Sequence, residues 1–162
     1  MKEKIIGVDY SDSITNGFME VKITVVEGIK PVMYQKIIVK EFKDIFTPLL
    51  ALSLKYNAKI NFENNVHGLY LLFKEHKCLD LLRDNDIPRY LMCSTREIKG
   101  FTYVTILKDL FNKYASLLDY NKEFEDSYRI AVLPLIYSED FQYKVNEVKC
   151  LETKLKQLKD SL

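Results

Sequence analysis

Residues 18–26 alternate between apolar and polar side chains, and this pattern constrains the fold more than any other in the chain. The apolar positions are Met19, Val21, Ile23 and Val25, and the polar positions between them are Glu20, Lys22 and Thr24. A period of two predicts a strand with one buried face. A turn containing glycine at 27–31 separates this strand from a second β-rich run at 32–39, so the two runs predict a β-hairpin.

The segments around this hairpin alternate between strand and helix patterns. A short apolar run at 5–8 predicts a strand that is buried on both faces and ends at Asp9. Further strands are predicted at 58–62 and 87–93, a polar loop at 94–100, and helices at 41–56, 69–77, 103–118 and 123–137. We expect Pro48 to delay the start of the first helix and Pro134 to interrupt the last. This order of elements predicts an α/β fold.

The C-terminal segment has a heptad pattern. Phe141, Val148, Leu155 and Leu162 recur every seven residues, with Leu151 and Leu158 at the intermediate position. This spacing predicts an amphipathic helix. We therefore divide the chain into an α/β domain at 1–137 and a C-terminal amphipathic helix at 138–162. The apolar stripe of this helix needs a partner, either the domain's own surface or another chain, so the helix is a candidate for self-association.

Composition excludes several classes of protein. With 24 Lys and Arg against 23 Asp and Glu, the net charge is +1, so binding to nucleic acid would need a local basic patch. No apolar run approaches the roughly 18 residues of a membrane span, so no membrane partner is expected. Three cysteines at irregular spacings argue against a disulfide framework or a zinc site and favour a reducing intracellular compartment. Phosphate-binding and dinucleotide-binding glycine motifs are absent from the sequence.

Two acidic residues each follow a predicted buried strand. Asp9 follows the run at 5–8, and Glu63 follows the run at 60–62. Open α/β sheets hold their ligands at the carboxyl ends of strands, and adjacent strands would bring these two carboxylates together. Because close carboxylates repel unless a cation bridges them, the pair indicates a site for Mg²⁺ or Mn²⁺. The alternative is that both acids are solvated or cap the helices that follow them.

A nuclease site needs a third acid, and the candidates are Glu123, Glu125 and Asp126. Asp126 precedes the apolar run at 130–133, so it would project into the site from the first turn of a helix. A simple N-cap role for Asp126 is the alternative.

Basic residues in the polar loop at 94–100 are candidates for binding phosphate. Arg96 and Lys99 are the two that we select for contacts to a nucleic-acid backbone. The alternative is that they belong to a solvated surface.

Two segments resemble the nuclease domain of the large terminase subunit of tailed phages. They are Gly7-Val8-Asp9 and Phe62-Glu63-Asn64-Asn65-Val66-His67-Gly68. The resemblance implies an RNase H-like (retroviral integrase-like) fold, with a mixed central sheet flanked by helices. It also implies a metal-dependent endonuclease that cuts concatemeric viral DNA during genome packaging. Asp9 matches the family's first acid and Glu63 its second, and Glu125-Asp126 stands for the family's Asp-Asp pair, with Asp126 as the ligand.

The resemblance further implies a cofactor and partners. Asp9, Glu63 and Asp126 would hold two Mg²⁺ or Mn²⁺ ions, which activate a water molecule and stabilise the leaving 3′-oxygen during attack on the phosphodiester. The expected substrate is double-stranded DNA, and the expected protein partner is a separate packaging ATPase or a portal protein. The expected location is the cytoplasm of an infected host cell.

Two alternative functions remain open. Asp126-Ser127-Tyr128, with Glu123 three residues earlier, also resembles the acidic last helix of Holliday-junction resolvases of the same fold. In that case Asp9, Glu63, Glu123 and Asp126 would form a four-acid site. The second alternative is a non-catalytic RNase H-like adaptor in packaging or assembly, with the C-terminal helix as its docking element.

Overall fold

The computed structural model of the chain describes residues 2–11, 17–62, 67–83, 97–98, 101–102, 111–136 and 139–161. Its central sheet has four strands: β1 (Lys4–Ser11), β2 (Met19–Glu27), β3 (Lys30–Val39) and β4 (Lys59–Phe62). Their order across the sheet is β3-β2-β1-β4. β1 runs antiparallel to β2 and parallel to β4, so the sheet is mixed. A single parallel bridge between Ile60 and Leu82 continues the pairing beyond β4.

The longer helices along the chain are α1 (Lys43–Tyr56), α2 (His67–Glu75), α3 (Glu125–Ile136) and α4 (Glu139–Ser161). Of these, α1, α2 and α3 pack against the sheet. Short 3-10 turns cover Leu79–Leu81, Ala115–Leu117 and Lys122–Phe124. The two-residue strands β5 (Glu97–Ile98) and β6 (Phe101–Thr102) pair with each other. These elements confirm the predicted α/β class. Among the described helices, none is long and apolar enough to span a bilayer.

Strand β1 lies at the centre of the hydrophobic core. Ile6 and Val8 on one face pack in a cluster with apolar residues of α1 and α2, whereas Ile5 on the other face packs with residues of α3. All three side chains are buried, as the continuous apolar run predicted. Helices therefore cover both faces of the sheet at β1.

The predicted hairpin is confirmed, and β2 is more deeply buried than its alternation indicates. Its apolar positions all face the core, but the polar Thr24 on the opposite face is also fully buried. The hydroxyl of Thr24 is accommodated there because it hydrogen-bonds to Ser127 of α3, at 2.6 Å.

Both expectations about proline are wrong. α1 begins at Lys43, before Pro48, and α3 continues through Pro134. Proline has no N–H to donate to the carbonyl four residues earlier, which for Pro134 is the carbonyl of Ile130. That carbonyl instead accepts a hydrogen bond from the Asn61 side chain at 2.8 Å, so the helix tolerates the missing donor.

Other predicted boundaries change in detail. β1 does not end at Asp9 but continues to Ser11, because its last residues still pair with β2. Within the predicted loop at 94–100, Glu97–Ile98 is a strand. The predicted strand at 87–93 and residues 103–110 of a predicted helix lie outside the described residues, while 111–114 are helical. The C-terminal helix is confirmed as α4.

Candidate functional site

Asp9 lies on the central strand, beside the carboxyl end of β4. In the parallel register, Val8 lies opposite Phe62, the last residue of β4. Asp9 follows Val8 in the chain and Glu63 follows Phe62, but Glu63 lies outside the described residues. Pairing on both sides of β1 fixes the backbone that leads into Asp9. The register therefore places Asp9 one residue beyond the point where β1 pairs with the last residue of β4.

The face of β1 that carries Asp9 is the face covered by α3. Gly7, two residues earlier and hence on the same face, lies directly against the helix backbone. A Cβ atom at Gly7 would come within 2.0 Å of the Ser127 carbonyl oxygen and 2.6 Å of the Ala131 nitrogen. Only glycine allows this close approach of strand and helix.

Two buried hydrogen bonds hold α3 against the sheet at the level of Gly7. Gly7 pairs with Thr24 on one side and with Asn61 on the other. The Thr24 and Ser127 hydroxyl oxygens are 2.6 Å apart, and Asn61 Nδ2 donates to the Ile130 carbonyl oxygen at 2.8 Å. Together with the contact at Gly7, these bonds fix the distance between α3 and β1 and the position of α3 on the sheet.

Asp126 therefore lies on the side of α3 that faces β4. Ile130, one helical turn later on the same face, has its carbonyl bonded to Asn61 of β4. Tyr128 lies about 200° around the helix from Asp126, and its hydroxyl donates to the Ile29 carbonyl in the β2–β3 turn, at 2.6 Å. Asp126 thus lies on the flank of α3 nearer to β4, and Tyr128 on the flank nearer to the β2–β3 turn.

Asp126 has a partner within α3. Its Oδ1 atom lies 3.3 Å from Nη1 of Arg129, whose side chain is only 7% exposed, whereas that of Asp126 is 54% exposed. The N-cap alternative for Asp126 is wrong, because α3 already begins at Glu125 and follows a 3-10 turn. At that earlier turn the capping residue is Asn121, whose Oδ1 accepts from the Glu123 N–H at 3.0 Å.

Glu123 is held by lysines of β2 and β3. Its carboxylate lies 2.5 Å from Lys36 Nζ, and its backbone carbonyl accepts from Lys22 Nζ at 3.1 Å. The hydrogen bond with Lys36 lowers the pKa of the Glu123 carboxyl and raises the pKa of the lysine. Lys22 is the cross-strand partner of Asp9, and Lys36 is the cross-strand partner of Lys22. Asp9 and these two lysines therefore lie side by side on three neighbouring strands.

Glu125 is half-buried in the first turn of α3. Among the described residues, no group of three or more His, Cys, Asp and Glu side chains is arranged to hold a metal ion. The predicted second acid, Glu63, and the predicted phosphate contacts, Arg96 and Lys99, lie outside those residues.

Sequence reasoning missed the residues that position α3, namely Thr24, Asn61 and Ser127. Their signal was present: Thr24 and Asn61 are polar residues inside strands whose neighbours are buried. A buried polar side chain needs a hydrogen-bond partner, and here both partners belong to the same helix.

Comparisons with protein-family models, with curated proteins and with solved structures found no match to this chain. The fold and the site therefore define a kind of domain but no protein family. It is an α/β domain in which an acidic residue of the central strand lies on the face covered by a late helix, and that helix carries two further acids in its first turn.

Proposed function

We propose that this chain is a metal-dependent endodeoxyribonuclease with an RNase H-like fold, resembling the terminase nuclease. The observation that carries the proposal is the close packing of α3 on β1 at Gly7, together with the register of β1 and β4. The packing brings the helix turn with Asp126 over the face of β1 that holds Asp9. The parallel register brings Phe62, the residue before Glu63, beside Val8.

The order of these features along the chain also supports the proposal. The resemblance calls for a first acid that ends the first strand and a second acid between a strand and a helix. It calls for the third at the start of a late helix. Asp9 is in β1, Glu63 lies in the sequence between β4 and α2, and Asp126 is in the first turn of α3.

The donor set fits a hard divalent cation. Asp9, Glu63 and Asp126 offer carboxylate oxygens, which Mg²⁺ and Mn²⁺ prefer over nitrogen or sulfur. When bound, such ions supply charge stabilisation at a phosphodiester and a more acidic water molecule. The chain's own contribution is positional: paired strands hold Asp9, and the packed helix holds Asp126, which Arg129 also contacts.

Double-stranded DNA is the proposed substrate, with Arg96 and Lys99 as the proposed phosphate contacts. A packaging ATPase or portal protein is the proposed partner, and the cytoplasm of an infected host cell is the proposed location. These three proposals rest on the resemblance.

A plasmid-nicking assay tests the proposal. Wild-type protein should nick supercoiled plasmid with Mn²⁺ or Mg²⁺ and should not nick it with EDTA. Asp9→Asn should lower the rate by orders of magnitude, because it removes a charged ligand from the centre of the site. Asp160→Asn, which removes an exposed carboxylate from α4, is the matched control and should cut at the wild-type rate. Equal cutting by Asp9→Asn would refute the site.

The structure offers one observation against the resolvase alternative. Glu123 is engaged by Lys36 of β3, and β3 is separated from β1 by β2. We therefore expect Glu123→Gln to keep nicking activity and Asp126→Asn to lose it. Loss of activity in Glu123→Gln, with preferential cleavage of four-way junctions over linear duplex, would instead favour the four-acid resolvase site.

The adaptor alternative is favoured by a different observation. Asp126 is already paired with the buried Arg129, which is also what a purely structural acid would do. An adaptor should show no cleavage with any divalent ion, and Asp126→Asn should then change stability alone. Metal-dependent cleavage by the wild-type protein excludes this alternative.

A further inference from the structure

The C-terminal half of α4 carries an exposed apolar stripe. Leu151, Leu155 and Leu158 are 60%, 55% and 64% exposed, respectively, although each is large and apolar. They lie at the two apolar heptad positions, with Leu155 at position a and the other two at position d. A stripe with this spacing is suited to packing against another helix.

Charged residues flank the stripe and determine in which orientation a second helix can pair with it. In the same heptad, Glu152 and Lys159 occupy position e, and Glu147 and Lys154 occupy position g. All four are exposed in α4. In two-helix coiled coils, residues at e and g face the partner helix and determine its orientation.

A parallel pairing with a second copy would bring like charges together. In that arrangement a g residue faces the e residue five positions later in the partner helix. Glu147 would then face Glu152, and Lys154 would face Lys159. Each contact occurs twice by symmetry, and like charges at such contacts destabilise the pair. The charge pattern of α4 therefore opposes parallel self-association.

An antiparallel pairing brings opposite charges together. In this orientation e residues face e residues, so Glu152 of one helix can face Lys159 of the other. The same register places Leu155 of each helix against Leu158 of the other, and every residue involved is exposed in the described chain. We propose that α4 pairs antiparallel with α4 of a second copy of this chain in this register. The proposal is independent of the nuclease function.

Sedimentation analysis of the full chain over a concentration series tests the proposal. A reducing agent is needed, because the exposed Cys150 could otherwise form a disulfide between copies. The wild-type protein should show a monomer–dimer equilibrium. Leu155→Glu should weaken the dimer by about tenfold or more, since it places a charge in the apolar layer. Circular dichroism should show unchanged helix content, because Leu155 is already exposed.

A charge reversal distinguishes the two orientations by the sign of its effect. Lys159→Glu creates two Glu–Glu contacts in the antiparallel dimer and should raise its dissociation constant by about fivefold. In a parallel dimer it would replace a Lys–Lys contact by an attractive Glu–Lys contact and tighten the dimer. Lys156→Glu, with the same charge change at position b, is the matched control and should have no effect. Glu152→Lys combined with Lys159→Glu should restore the wild-type affinity.

Three results would overturn the proposal. They are a monomer at every concentration, a dimer that Leu155→Glu leaves intact, and a dimer that Lys159→Glu tightens.

Discussion

Replacing Gly7 by alanine is expected to push α3 away from β1. The added Cβ would lie 2.0 Å from the Ser127 carbonyl oxygen, whereas ordinary contacts begin near 3.4 Å. The clashing atoms are two backbone atoms of α3 and the Cβ of Ala131, so no side-chain rotation relieves them. The helix must therefore move by about 1.4 Å along the line to Ser127, the difference between these two distances.

A movement of that size would break the hydrogen bonds that hold α3. The Thr24–Ser127 bond is 2.6 Å long and the bond from Asn61 to Ile130 is 2.8 Å, so a shift of more than 1 Å exceeds hydrogen-bond range. Each buried polar group left without a partner costs about 1–3 kcal/mol, and overpacking costs a similar amount. We expect Gly7→Ala to lower the free energy of unfolding by about 3–5 kcal/mol, a large fraction of the stability of a typical domain.

Urea denaturation measures this loss, and Gly17→Ala is the matched control. Gly17 has a backbone conformation that favours glycine, with φ of +75°, but a Cβ there would meet nothing within 4 Å. Its substitution should cost about 1 kcal/mol, from backbone strain alone. A loss of stability in Gly7→Ala no larger than that in Gly17→Ala would refute the close contact between β1 and α3.

Two further predictions concern buried polar groups around α3. Asn61→Leu should destabilise the fold by about 1–3 kcal/mol in urea denaturation, because it leaves the Ile130 carbonyl without a donor. In a Pro134→Ala background the restored helical N–H should supply that donor and reduce the loss, whereas additive losses would contradict the explanation. Burial raises the pKa of the Tyr128 hydroxyl, so stability should be fully present below about pH 10, where tyrosine ionises in the unfolded chain, and should fall above it. Tyr128→Phe should flatten this alkaline loss in unfolding measurements across pH 8–11, and an unchanged pH dependence would assign the loss to other groups.

The strands and the first helices could be predicted because their patterns arise from local burial. β2 alternates because one face lies in the core, and the run at 5–8 is continuous because helices cover both faces of β1. The heptad spacing that predicts α4 can be read from the sequence alone. Where a pattern and an observed element disagree, as for β1 beyond Asp9, the strand is extended by pairing with β2, which its own residues do not encode.

The predicted interruption at Pro134 failed for a long-range reason. The residue that compensates for the missing N–H is Asn61, 69 positions from the carbonyl that it binds. No local pattern could reveal that contact. The N-cap alternative for Asp126 failed because the turn before α3 begins at Lys122 and is capped by Asn121.

The positions of two candidate acids in the secondary structure could be predicted in part. Asp126 lies in the first turn of a late helix, as expected, whereas Asp9 lies within β1 rather than after its end. The ion pair between Asp126 and Arg129 and the pairing of Glu123 with Lys36 depend on how the helix docks, so they became visible only in the folded chain.

Binding of Mn²⁺ tests the central claim, that the carboxylate of Asp9 in β1 and that of Glu63, which follows β4 in the sequence, form a cation site. The measurement is the melting temperature of the full chain with and without millimolar Mn²⁺. A ligand that binds only the folded state raises that temperature. We predict that Mn²⁺ raises the melting temperature of the wild-type protein and of the control Asp160→Asn, and that Asp9→Asn and Glu63→Gln each abolish the rise. No rise in the wild-type protein, or an equal rise in Asp9→Asn, would contradict the account.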